Sequence, residues 1–253
     1  MDYEAMRPCV IIPARYASTR FAGKPLVPLL GKPMILWVAE LSAQAVGQEH
    51  VYVATEDERI ASVVHDAGFS ALMTNPTALT GTDRLAEAAR MIDYDIYVNV
   101  QGDEPLVDPE DIRRCIAIKA EHPQMVINGF CSIGPNEDAA SVNIPKVIAN
   151  EANLMVYMSR APLPGFKEPK SAPPHYMKQV CIYGFNSSDL AAYARFGRKS
   201  ILEACEDIEI LRFLELDRHI LMYECRPGSL AVDVPTDVLK VEASLSRLLG
   251  SQK

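Results

Sequence analysis

Two cations and two carboxylates carry the chemistry that this sequence could do. Arg15 and Lys24 follow the run Val10-Ile11-Ile12-Pro13-Ala14, in the segment Arg15-Tyr16-Ala17-Ser18-Thr19-Arg20-Phe21-Ala22-Gly23-Lys24-Pro25. Asp103 closes Asn99-Val100-Gln101-Gly102-Asp103, and Asp233 follows Ala231-Val232. A nucleoside triphosphate carries about four negative charges near neutral pH, and gripping it takes fixed cations plus backbone N–H groups that can come close. Arg15 offers a planar fork and Lys24 a point charge, while Ala14, Ala17, Ala22 and Gly23 leave the backbone uncovered. Aspartates at strand ends can hold Mg²⁺ against phosphate oxygens. Plainer readings exist: a solvated basic loop, a turn aspartate at 103, a helix cap at 233 ahead of Pro235. Two such aspartates together with a cationic loop favour chelation more than either aspartate alone does.

These residues need strands that end where they begin. Val10 to Ala14 reads as the first strand, and apolar residues from Pro33 to Val46 recur at helical spacing. His50–Thr55 reads as a buried strand, 57–67 as a helix ended by Gly68, and Phe69–Met73 as a third strand. That βαβαβ order predicts an α/β fold with a mostly parallel central sheet flanked by helices. A turn at Thr80-Gly81-Thr82-Asp83-Arg84 opens a helix through Met91, and a strand over 95–101 delivers Asp103 to its carboxyl end, where open parallel sheets bind ligands. A helix over 109–121 and a strand over 126–131 follow. From 144 to 186 shorter strand-like runs and a Pro-rich loop over 161–174 predict a smaller mixed β extension, suited to a substrate pocket and subunit contact. Helices over 187–196 and 201–216, strands over 220–225 and 231–233, and a helix over 235–249 complete one domain, 1–253.

Composition narrows the partner. The chain carries 25 Lys and Arg against 33 Asp and Glu, a net charge of −8, so its surface as a whole repels a polyanion, and nucleic acid is not expected as partner. One basic loop on an acidic body favours a small anionic ligand. The six cysteines form no C-x-x-C pair and read as reduced thiols. Met1-Asp2-Tyr3-Glu4 lacks the basic and apolar start of a secretory leader, and no run of about eighteen apolar residues occurs, so a cytoplasmic protein without membrane insertion is expected.

Gly23-Lys24-Pro25 fails as a Walker loop, because Ser or Thr must follow the lysine and proline removes an N–H. No G-x-G-x-x-G follows the first strand, which disfavours a dinucleotide dehydrogenase. Three stretches instead resemble the 3-deoxy-manno-octulosonate (Kdo) cytidylyltransferase family. They are Val10 to Arg20 with Gly23-Lys24-Pro25-Leu26, Asn99-Val100-Gln101-Gly102-Asp103-Glu104-Pro105, and Val232-Asp233-Val234-Pro235-Thr236-Asp237. The resemblance implies a Rossmann-like nucleotidyltransferase fold, a homodimer, and the joining of CTP to an eight-carbon 3-deoxy sugar acid for lipopolysaccharide, with pyrophosphate released. It implies that Arg15 and Lys24 hold the triphosphate with Ala14, Ser18 and Arg20 in the loop, that Asp103 and Asp233 ligate Mg²⁺, and that Gln101 and the turn at Thr82 frame the nucleotide. In-line attack at phosphorus calls for charge stabilisation rather than a protein nucleophile.

The sugar end departs from the family. Where R-H-[IL]-G-I-Y-[AG] is usual, this chain has Lys178-Gln179-Val180-Cys181-Ile182-Tyr183-Gly184; where L-E-x-x-E-x-L-E-Q-L-R is usual, Ile210 replaces Gln and Asp207 is an added acid. Gln179, Tyr183, Glu206, Asp207 and Glu209 are the expected sugar contacts. Two polar groups lost and a carboxylate gained suit a sugar bearing an ammonium, 8-amino-3,8-dideoxy-manno-octulosonate (Kdo8N), with Kdo close behind. Another acidic sugar such as a sialic acid, or a nucleotide-binding regulatory module without catalysis, are the alternatives.

Overall fold

The computed structural model describes residues 6–17, 21–135, 137–228, 230–232 and 234–251. Strand β1 (Pro8–Ala14) is apolar at nearly every position because both its faces are covered, as central strands of parallel sheets must be. Cys9 and Ile11 enter one hydrophobic core, and Val10 and Ile12 the other. Next come the short β2 (Pro28–Leu29) and β3 (Lys32–Pro33), then helix α1 (Met34–Val46), β4 (Val51–Thr55), α2 (Glu58–Asp66), β5 (Ser70–Met73), α3 (Gly81–Ala88) and β6 (Ile96–Val100). The chain continues through α4 (Pro109–Glu121), β7 (Val126–Ser132), β8 (Lys146–Ala149), β9 (Met155–Ser159), β10 (Met177–Phe185), α5 (Ser187–Arg195), α6 (Ile201–Glu206), α7 (Leu211–Glu215), β11 (Ile220–Glu224) and α8 (Asp237–Ser251).

The main sheet runs β11-β7-β10-β6-β1-β4-β5. β1 lies parallel to β4 and β6, β4 to β5, and β7 to β11, whereas β10 is antiparallel to both β6 and β7. Helices α1, α2 and α4 pack on one face, and α3, α5 and α7 on the other. After β1 the chain winds outward through β4 and β5 and then returns to place β6 on β1's other side. That reversal opens a crevice at the carboxyl ends of β1 and β6.

Local chemistry sets the helix starts. Asp57, Thr80 and Asp108 each accept a backbone N–H from the first turn of their helix, and α5 and α6 open on complete capping boxes, Asn186 with Asp189 and Ser200 with Glu203.

Three expectations differ from what is observed. The helix expected over 201–216 is two helices, because Asp207 takes the left-handed conformation (φ 50°) and ends α6. Residues 231 and 232 form no strand, and Asp233 lies outside the described residues. The 144–186 segment divides: β8 and β9 hang off the sheet, while β10 runs through its centre between β6 and β7. β10 is apolar enough, with Val180, Ile182, Tyr183 and Phe185 all buried, to belong there. Among the described residues no helix is long and apolar enough to cross a membrane.

Candidate functional site

The crevice between β1 and β6 widens into a cleft of about 260 Å³. Lys24 and Asp103 meet in it, their side chains mostly covered: Lys24 Nζ donates to Asp103 Oδ2 at 2.6 Å and to the carbonyl of Val232 at 2.9 Å. Val232 N–H in turn donates to the carbonyl of Asp103 (3.0 Å), so the chain just before Asp233 is fastened to β6's carboxyl end. Gly102 allows the close approach of that end to β1, since a Cβ there would stand 3.0 Å from the carbonyl of Pro13. Asp103 is the described carboxylate placed to hold a divalent cation. Among the described residues no three metal-ligating side chains gather, so a metal here would draw further oxygens from its substrate and from water.

The cationic loop is held by its own backbone and by Glu56. Gly23, in the left-handed region at φ 69°, turns the chain so that its N–H donates to the carbonyl of Tyr16 at 2.9 Å. A side chain at 23 would press on the Tyr16 ring, 3.2 Å from the position of a Cβ. Glu56, at the end of β4, accepts the Tyr16 N–H (3.0 Å) on one oxygen and pairs with Arg84 of α3 (2.8 Å) on the other. Arg59 of α2 covers the outer face of the Tyr16 ring at 3.3 Å. Arg84 is 4% exposed and lines the cleft, and burial lowers its pKa against the opposing pull of Glu56. Arg15 stands exposed beside it.

The wall opposite is built on Arg212. Its guanidinium is fully buried and forks two ways, to Glu203 (2.7 Å through both Nε and Nη2) and to Asp83 (2.8 and 3.1 Å), with its flat face on Tyr193 at 3.7 Å. Burial works against that charge, but the bonds from Glu203 and Asp83 outweigh it and raise the pKa. Glu209 sits at the N-terminus of α3 and accepts from Gly81 N–H (3.0 Å), Thr82 N–H (2.8 Å) and Thr82 Oγ1 (2.7 Å). Burial raises the Glu209 pKa against the pull of these donors. The orphan N–H groups at that helix start are thereby satisfied from within the chain.

At the rim, Arg160 fixes the break between α6 and α7. It donates to the carbonyls of Glu206, Asp207 (2.9 Å) and Val142 (2.7 Å). Asp207 Oδ1 accepts from Lys199 Nζ at 2.8 Å, in the open.

Of the residues singled out from sequence, Ala14, Arg15, Lys24, Gln101, Asp103, Asp207 and Glu209 line this one cleft. Ser18, Arg20 and Asp233 lie outside the described residues. Thr82 is buried and faces Glu209 instead of the cleft. Gln179, Tyr183 and Glu206, expected as sugar contacts, do not line this cleft, and each has contacts within the chain. Gln179 Nε2 donates to buried Asn128 at 3.1 Å. Tyr183 is packed in the core against Phe185, and burial pushes its hydroxyl pKa well up. Glu206 accepts from Ser159 Oγ (2.6 Å), Tyr157 Oη (3.3 Å) and Arg160 N–H (2.9 Å), tying α6 to β9. Residues given no role from sequence are Glu56, Arg160, Lys199 and Glu203; of these only Glu203 carried a signal, as part of the L-E-x-x-E stretch and of the Ser200-x-x-Glu203 spacing of a helix start.

A family model described as cytidylyltransferase matches residues 9–220. The 3-deoxy-manno-octulosonate cytidylyltransferase of Geotalea uraniireducens is 40% identical over 252 residues, covering 96% of this chain and 100% of the relative. The 8-amino-3,8-dideoxy-manno-octulosonate cytidylyltransferase of Shewanella oneidensis is 37% identical over 249 residues, covering 95% and 99%. A solved structure of CMP:2-keto-3-deoxy-manno-octonic acid synthetase complexed with CTP superposes with a TM-score of 0.87 at 35% identity, over 95% of this chain and 99% of that one. The chain belongs to the cytidylyltransferase family.

Proposed function

We propose that this nucleotidyltransferase joins CMP from CTP to 8-amino-3,8-dideoxy-manno-octulosonate, with Kdo as its near substrate, releasing pyrophosphate for lipopolysaccharide biosynthesis. The names alone favour Kdo, which most of the relatives and the solved structure carry, although a relative named for Kdo8N stands at 37% identity beside 40% for one named for Kdo. The observation that carries the choice is that the cleft holding Lys24 and Asp103 is also lined by Asp207, whose carboxylate already accepts a primary ammonium. A neutral hydroxyl makes weaker use of a carboxylate than an ammonium does.

In the reaction the sugar's anomeric oxygen attacks the α-phosphorus, the bond to the β-phosphate's bridging oxygen breaks, and pyrophosphate leaves with that electron pair while the hydroxyl proton passes to solvent. Arg15 and Lys24 supply positive charge where negative charge builds up, Lys24 being held in the cleft by Asp103 and the carbonyl of Val232. The junction of Asp103 and Val232 suits a cation, since the Lys24 ammonium already sits on both. Asp103 with Asp233 would hold Mg²⁺ there, and the bound ion would neutralise phosphate charge. Gly81 and Gln101 contribute the nucleotide side of the cleft.

A panel of Kdo8N, Kdo and a sialic acid, each with CTP and pyrophosphate release as readout, tests the reading. The highest kcat/KM is expected with Kdo8N; an equal or higher value with Kdo overturns the choice of sugar. No release with any sugar overturns the activity and leaves a binding module. Glu56→Gln is expected to raise KM for CTP about tenfold with kcat little changed, because a buried guanidinium loses its charged partner while the Tyr16 N–H keeps an acceptor. Initial rates against CTP concentration check it; a fall confined to kcat would place Glu56 elsewhere in the mechanism.

A further inference from the structure

Among the described residues four carboxylates line the cleft: Asp103, Glu203, Asp207 and Glu209. Asp103 is bound to Lys24, Glu203 is buried on Arg212, and Glu209 is engaged by three donors at the start of α3. Asp207 differs in what surrounds it. Its side chain is 70% exposed and its partner Lys199 is 36% exposed, so both ions keep much of their hydration. Its backbone, by contrast, is fixed, in the left-handed conformation with the carbonyl held by Arg160. A rigid main chain thus presents a carboxylate whose partner can be exchanged at little cost, since exposed ion pairs are weak.

We propose that Lys199 and Asp207 form an exchangeable ammonium site that sets selectivity for an amino sugar. The inference rests on the substrate reading above and extends it to a second residue. In the enzyme without sugar the Lys199 ammonium occupies the place that the sugar's terminal ammonium takes in the complex. The two groups have the same charge and the same donor geometry, so one replaces the other without leaving the carboxylate alone in the cleft. A sugar ending in a hydroxyl cannot displace Lys199 with equal effect, because it brings a dipole where a charge is removed. Lys199 therefore acts as a competitor that the amino sugar overcomes and the hydroxyl sugar does not.

The test compares Kdo8N and Kdo, each with CTP, on the wild-type enzyme and on Asp207→Asn and Lys199→Met. Asn tolerates the left-handed backbone and both side chains are largely exposed, so both variants are expected to melt with the wild type. Asp207→Asn should lower kcat/KM for the amino sugar about tenfold and change that for Kdo less than about threefold. Lys199→Met should lower KM for the amino sugar about threefold, at unchanged kcat, and should also lower KM for Kdo, whose hydroxyl can then donate to the freed carboxylate. If the wild type prefers the amino sugar but Asp207→Asn keeps that preference, or Lys199→Met leaves its KM unchanged, the exchange is overturned while the substrate reading stands. A wild type that prefers Kdo, or treats both alike, overturns the substrate reading and the exchange with it.

Discussion

Asp103→Asn is expected to lower the rate of CMP transfer about 10³-fold or more while the protein melts as the wild type does. The rate effect follows from charge. The carboxylate neutralises Lys24 at 2.6 Å and is proposed to hold a divalent cation, whose contribution at a transferring phosphoryl group would be several kcal/mol, about 10³-fold in rate. The stability effect is small because Asn keeps the shape and the main-chain bond from Val232 N–H to the carbonyl of residue 103 is untouched. An amide oxygen still accepts from Lys24 but carries no full charge to a metal. Pyrophosphate release under saturating Mg²⁺, beside a thermal melt, separates the two effects. A variant within a few-fold of the native rate would remove Asp103 from the chemistry; a large fall in melting temperature would make its role structural.

How Asp103 came to be legible shows where sequence reading works and where it stops. Lys24 and Asp103 each follow a strand whose apolar run is unmistakable, and the parallel order of those strands brings both carboxyl ends to one edge. The capped helices could be read for the same reason, their signals lying within four residues of each other. Glu209 could not. It lies 127 residues beyond Thr82, and helical spacing of apolar residues over 201–216 hid the break that turns it toward α3. That break depends on a non-glycine residue in the left-handed region, Asp207, held by Arg160 from another strand's end. Periodicity tells which residues are buried, not what they are buried against. Gln179 and Tyr183 illustrate the limit from the other side: likeness of motif suggested sugar contacts for these β10 residues, but could not show that one donates to Asn128 and the other packs in the core.

Arg212→Met should destabilise the protein by about 3–5 kcal/mol, since breaking a buried ion pair from one side leaves the other charge uncompensated. The guanidinium is the shared partner of Glu203 and Asp83, and Glu203 is only 1% exposed. Met fills much of the volume and keeps contact with Tyr193 and the aliphatic wall, so the loss measures charge more than packing. For a chain of this size that corresponds to a fall in melting temperature of roughly 6–20 °C, read by calorimetry or circular dichroism. Arg212→Lys should recover only part of it, because a single ammonium reaches one carboxylate where the fork reaches two. Glu203→Gln in the Arg212→Met background removes one stranded charge and keeps an acceptor for Ser200 N–H, so the double variant should melt higher than Arg212→Met alone. Equal melting of the two would mean that packing on Tyr193, and not charge balance, is what Arg212 provides. Because Asp83 belongs to α3 and Glu203 to α6, the same loss should loosen the cleft wall and raise KM for CTP before the fold fails.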